Sequence, residues 1–154
     1  MKYQISTVAV LLSLSSLGPA TVASAQIKSN VVVEISGVRD PQGNVCIGLF
    51  SGSKNFPEKN DGLYKRQCVP AKTETMTVKF VNVPAGSYAI AALHDRNRDG
   101  LLSRNVAGIP NEGYGFSNNP VIRTGPPSFS KCLFLVAGPE TIVDIEMQYF
   151  PGVR

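Results

Sequence analysis

The sequence predicts an all-β fold: an antiparallel β-sandwich, immunoglobulin-like or transthyretin-like, of about seven strands with one long loop. Two observations carry this. Short runs alternate apolar and polar residues with the period of two that a half-buried strand requires, and Gly or Pro turns separate those runs at short spacing. No window sustains a helical period with caps over three turns.

The elements follow in order. Val31, Val33 and Ile35 alternate with Glu34 and Ser36, which places a strand over 31–38. Residues 45–50 form a second strand, apolar on both sides, and the short Asp40-Pro41-Gln42-Gly43 turn pairs it with the first as a hairpin. Residues 51–65 read as a polar loop in which Phe56 tucks one ring against the core. Met76, Val78 and Phe80 opposite Thr75, Thr77 and Lys79 mark the clearest strand, over 73–81. After the turn at Pro84-Ala85-Gly86, a strand over 87–94 carries Ala89, Ala91 and Ala92, small residues that imply close packing. Two final strands cover 131–137 and 141–149, joined by Gly138-Pro139-Glu140. Residues 103–128 have little strand signal and many Gly and Pro. A connection this long inside a domain is either functional or disordered, and Ile109, Tyr114 and Phe116 argue that it is ordered and folded back beside the turn at Asp95.

Residues 1–25 have the layout of a secretory signal: Lys2, an apolar run too short to span a bilayer, then Ala23-Ser24-Ala25, with cleavage expected before Gln26. Residues 26–154 are read as one domain, exported to a periplasm or the extracellular space, without stable membrane insertion after cleavage. Without Lys2 the balance is 14 basic against 11 acidic side chains, a net of +3, and the basic residues are scattered. That pattern argues against nucleic acid as a partner. In an oxidising compartment Cys46, Cys68 and Cys132 allow three pairings. Cys46 with Cys68 is favoured because it ties down a Gly-, Asn- and Lys-rich segment, a closure contributing about 3 kcal/mol. Cys132, alternating with Phe134 and Val136, reads as a small buried apolar residue.

The chemistry-bearing stretch is His94-Asp95-Arg96-Asn97-Arg98-Asp99-Gly100-Leu101. Oxygens at Asp95, Asn97 and Asp99 followed by glycine match the first half of a calcium loop. Position twelve, where a bidentate Glu closes such a loop, holds Val106. One reading is a weak calcium site built from Asp95, Asn97, Asp99, the Leu101 carbonyl and Glu112 returning from the long connection. The other is an Asx-type turn in which the same side chains accept backbone amides and no metal binds. His94, the single histidine, is read as structural, with Glu112 or the loop backbone as its partner. His94, Glu112, Tyr114, Phe116 and Asn118 form the candidate binding surface. No nucleophile elbow is present, and Ser117 has no base at a recognisable spacing.

Three ordered motifs, Pro84-Ala85-Gly86-Ser87-Tyr88-Ala89, the stretch from His94 to Gly100, and Gly108-Ile109-Pro110-Asn111-Glu112-Gly113-Tyr114-Gly115-Phe116-Ser117-Asn118-Asn119, make the chain resemble the DUF2141 family of exported proteins from about Val31 to Tyr149. The resemblance implies a β-sandwich similar to transthyretin-like and collagen-adhesin B-type domains, together with an exported location; it implies no particular activity. Ser103 stands where the family pattern has Asp after Gly-x-Leu, which weakens the cation reading. The expectation is an exported, non-enzymatic binding or structural module facing an extracytoplasmic protein or glycan, with calcium as its one candidate cofactor. The alternative is a cation-dependent hydrolase using His94, Asp95 and Glu112.

Overall fold

The computed structural model describes residues 27–150. The secretory segment and its cleavage point therefore lie outside the described residues. Eight strands form two layers: β1 (Lys28–Ser36), β2 (Asn44–Phe50), β3 (Leu63–Pro70), β4 (Met76–Pro84), β5 (Gly86–Asp95), β6 (Gly113–Phe116), β7 (Phe134–Val136) and β8 (Glu140–Glu146). A three-stranded sheet is ordered β4-β1-β8 and a five-stranded sheet β3-β2-β5-β6, with β7 pairing to the first residues of β5. Among the described residues no helix is long and apolar enough to cross a membrane.

The expected sandwich is present, with two changes. The first two strands do not form a hairpin: β1 pairs with β4 and β8, while β2 pairs with β3 and β5. Alternation reports which face of a strand is buried but not which strand lies beside it, and the 37–43 connection crosses between layers instead of folding back. The pairing of β1 with β8 is parallel, so the three-stranded sheet is mixed.

The main core lies between the layers. Val31, Val33 and Ile35 of β1 and Val78 and Phe80 of β4 meet Val45, Ile47 and Leu49 of β2, all buried. A second cluster forms on the outer face of the larger sheet, where Ala89, Phe116 and Cys132 pack with Phe56 and Phe129. Phe56 sits edge-on to Phe50 at 5.0 Å and to Phe129 at 5.5 Å, which is why β2 is apolar on both faces. Cys46 and Cys68 face each other across β2 and β3 and are joined in a disulfide, and Cys132 is free and buried.

Two strands escaped the periodicity. β3 begins inside the loop expected over 51–65 and shows no apolar face, because exposed Tyr64, Arg66 and Cys68 alternate with only half-buried residues, as befits an edge strand. β6 was hidden by glycines. Gly113 and Gly115 face inward because a Cβ at Gly113 would lie 2.4 Å from the Tyr149 ring and one at Gly115 would lie 2.6 Å from Ile145. The chain after β8 passes so close that Tyr114 and Gln148 exchange main-chain hydrogen bonds of 2.9 and 2.7 Å. Tyr114 and Phe116, the alternate residues of the same strand, point to the outer face.

Candidate functional site

The acidic turn begins at the last residue of β5. Asp95 is 2% exposed, and its carboxylate accepts the amides of Asp99 at 3.1 Å and Gly100 at 2.9 Å. Asn97 Oδ1 accepts the Asp99 amide, and Asp99 Oδ1 accepts the Leu101 amide at 2.8 Å. Arg98 and Gly100 hold positive φ of 62° and 76°, so the chain reverses within a few residues. Glu112 arrives from the long connection as expected of it in position, but its work is structural. Its two oxygens accept the amides of Arg96 and Ser103, each at 2.9 Å, while the side chain is 4% exposed. Among the described residues no group of three or more His, Cys, Asp or Glu gathers at metal-binding spacing. Of the expected donors, the side-chain oxygens of Asp95, Asn97, Asp99 and Glu112 each accept main-chain amides.

His94 is fully buried on the inner face in the structural role expected of it, and it bonds loop backbone and Tyr149 rather than Glu112. Nδ1 lies 2.8 Å from the Tyr149 hydroxyl and Nε2 lies 2.8 Å from the Gln42 carbonyl, with Glu112 elsewhere. A carbonyl only accepts, so Nε2 carries the proton and Nδ1 takes the Tyr149 O–H. That hydroxyl in turn accepts the Arg39 amide at 3.1 Å. Burial pushes the Tyr149 phenol above its ordinary pKa, and the Arg39 amide pulls against that shift. Gly43 anchors the same corner: with φ of +73°, a Cβ there would lie 2.1 Å from the Asp95 carbonyl. The three residues of the hydrolase alternative are thus buried, and the polar atoms of each serve the chain itself.

Asn118 is also a clamp. At φ 65° it donates Nδ2 to the carbonyls of Leu133 at 2.7 Å and Lys131 at 3.3 Å, and Asn119 bridges to Asp144 and Glu146 of β8. Ser117 is buried, donating Oγ to Cys132 O at 2.5 Å and accepting the Ile90 amide. Of the candidate surface, Tyr114 and Phe116 alone face open volume.

That volume is a cavity of about 740 Å³ on the outer face of the larger sheet. Gly48, Ala91, Leu93, Tyr114 and Phe116 line it from β2, β5 and β6. The 100–110 and 122–126 segments of the long connection line it as well. Small residues keep the sheet face low, and the cross-strand partners Leu93 with Tyr114 and Ala91 with Phe116 give it an apolar surface. Three arginines, Arg66, Arg104 and Arg123, line it with a single carboxylate, Glu58. Sequence reading found the two aromatics but none of the arginines. They come from three distant segments, and no local pattern announces their meeting.

A family model described as an uncharacterized protein conserved in bacteria, DUF2141, matches residues 33–144. No curated protein matches the chain, and no solved structure does. The match runs from inside β1 into β8 and includes the acidic turn, β6 and the segments that line the cavity. The chain belongs to the DUF2141 family.

Proposed function

We propose that this protein is an exported, non-enzymatic binding module whose ligand is a small molecule held in the outer-face cavity. The cavity itself carries this reading. Its volume of about 740 Å³ lies within the range of pockets that enclose small ligands, with a mostly apolar lining and a few polar groups. Export is supported by the Cys46–Cys68 disulfide, a bond that persists in oxidising compartments. The non-enzymatic reading is supported by the use of His94, Asp95, Glu112 and Ser117 as internal hydrogen-bond partners, which leaves none of them directed at the cavity. Calcium stands outside this reading because the turn oxygens are engaged by amides. A glycan or protein partner is set below a small ligand, since the lining is aliphatic and concave.

Binding of the uncharged fluorophore N-phenyl-1-naphthylamine to the purified protein tests the proposal. Saturable enhancement is expected, lost in Ala91→Phe, which fills the cavity from the sheet side, and reduced in the smaller plug Ala91→Leu. Unchanged binding in folded samples of both variants, or none in the parent protein, would remove the cavity from consideration.

A further inference from the structure

The reading of the cavity as a ligand site can be carried to a ligand class, and the following rests on that reading. We infer that the occupant is an anionic amphiphile: an apolar chain or ring system laid on Ala91, Leu93, Tyr114 and Phe116, with an acidic head group met by Arg66, Arg104 and Arg123.

Charge is the first argument. Three guanidinium groups line one cavity against one carboxylate, so an uncharged occupant would leave an excess of two positive charges beside apolar surface. Their existing partners are weak. Arg104 lies 3.9 Å from Glu58, with both side chains substantially exposed, and also reaches the Gly108 carbonyl at 3.1 Å. Arg66 reaches Asn60 Oδ1 at 3.4 Å. Among the described residues Arg123 has neither a hydrogen bond nor an ion pair. Guanidinium forks match carboxylate, phosphate and sulfonate oxygens in a two-pronged geometry, and such contacts strengthen next to apolar surface that excludes water.

The lining is the second argument. Ile109, Ile122 and Leu101 add aliphatic surface to the lining, and Leu101 is 67% exposed. Burying aliphatic surface of this kind favours an alkyl chain or a fused ring over a sugar, whose hydroxyls need more fixed donors and acceptors than Thr124 and the Tyr114 hydroxyl supply. Carboxylate and phosphate amphiphiles share the required chemistry.

Paired probes separate charge from apolar burial. Anilinonaphthalene sulfonate and N-phenyl-1-naphthylamine share one ring system and differ in the sulfonate. The sulfonate probe is expected to bind roughly tenfold more tightly, and less so as salt rises. Arg66→Gln, Arg104→Gln and Arg123→Gln should each weaken it about twofold, and the triple variant should abolish the preference while the uncharged probe is unaffected. Displacement by dodecanoate and dodecyl phosphate, compared with dodecanol and dodecyltrimethylammonium, distinguishes the two head groups; competition from either acid supports the inference. Equal binding of the two probes, or a preference that survives the triple variant, overturns it while leaving the cavity reading intact. Failure of both probes overturns the two together.

Discussion

The acidic turn and the outer-face cavity adjoin one another at the end of β5, yet they treat polar groups in opposite ways. In the turn, Asp95 and Glu112 each accept two main-chain amides and are buried to 2% and 4% exposure. In the cavity, Arg66 has a partner at 3.4 Å, Arg104 holds the Gly108 carbonyl at 3.1 Å and Glu58 at 3.9 Å, and Arg123 has none among the described residues. A carboxylate that satisfies buried amides cannot be removed cheaply, whereas an exposed guanidinium with few partners can be replaced at little cost to the fold. The residues that look most like chemistry in the sequence are therefore the scaffold, and the plainer ones face the open volume.

Experiments that break this contrast can be ordered by expected effect. Glu112→Ala should be the most damaging, costing about 3 to 4 kcal/mol in denaturant unfolding, because two charge-assisted hydrogen bonds vanish and two amides are stranded. A cost below about 1 kcal/mol would mean that water reaches those amides and that the turn is not sealed. Next comes His94→Phe, expected to cost about 2 to 3 kcal/mol by leaving the Gln42 carbonyl and the O–H donor of Tyr149 without their partner. Near-parent stability in that variant would show that the corner is held by packing alone.

An alkaline limb follows. Burial pushes the Cys132 thiol from 9.0 up to about 11, so the folded state holds this proton more tightly than the unfolded chain. The associated stability is fully present below pH 9.0 and is lost as pH rises towards about 11, a decline on the order of 2 kcal/mol. Cys132→Ala should flatten that limb, leaving the decline above pH 10.0 from Tyr88 and Tyr149, both raised by burial. An unchanged limb would place the titration elsewhere.

The contrast sharpens with Tyr114→Ala. Half-buried and on the cavity side, this residue should cost less than about 1.5 kcal/mol in stability while lowering probe affinity roughly tenfold. The reverse pattern would assign it to the scaffold. Smallest of all is calcium, for which we expect no heat and no melting shift up to about 5 mM, a range that covers weak extracellular sites. A clear upward shift would show that the turn oxygens accept a cation in addition to their amides.

Legibility in the sequence followed the range of the forces involved. Alternation in β1, β4 and β8 and the turn at Pro84-Ala85-Gly86 are local, and the elements they announced formed, with shifted ends such as β4 starting at Met76. The same logic failed for β6, where alternation is written as Gly-Tyr-Gly-Phe; glycine carries no hydrophobicity and so hides the inward face. The return of Glu112 to the turn was legible from the aromatics around it, which an exposed loop would have no reason to carry. Its role was not, because accepting an amide and ligating a cation use the same oxygen atoms.

By itself the chain determined a layered β fold and a tight acidic bend, products of local period, turn residues and short-range hydrogen bonds, and favoured one cysteine pairing of three, which the meeting of β2 and β3 made. The tertiary structure decided which strands became neighbours and that His94 would be sealed against Tyr149. It also brought arginines from β3, the acidic-turn side and the 122–126 segment to one apolar cavity. Those outcomes depend on contacts between residues far apart in sequence, whose energies come from burial and close approach and leave no periodic trace along the chain.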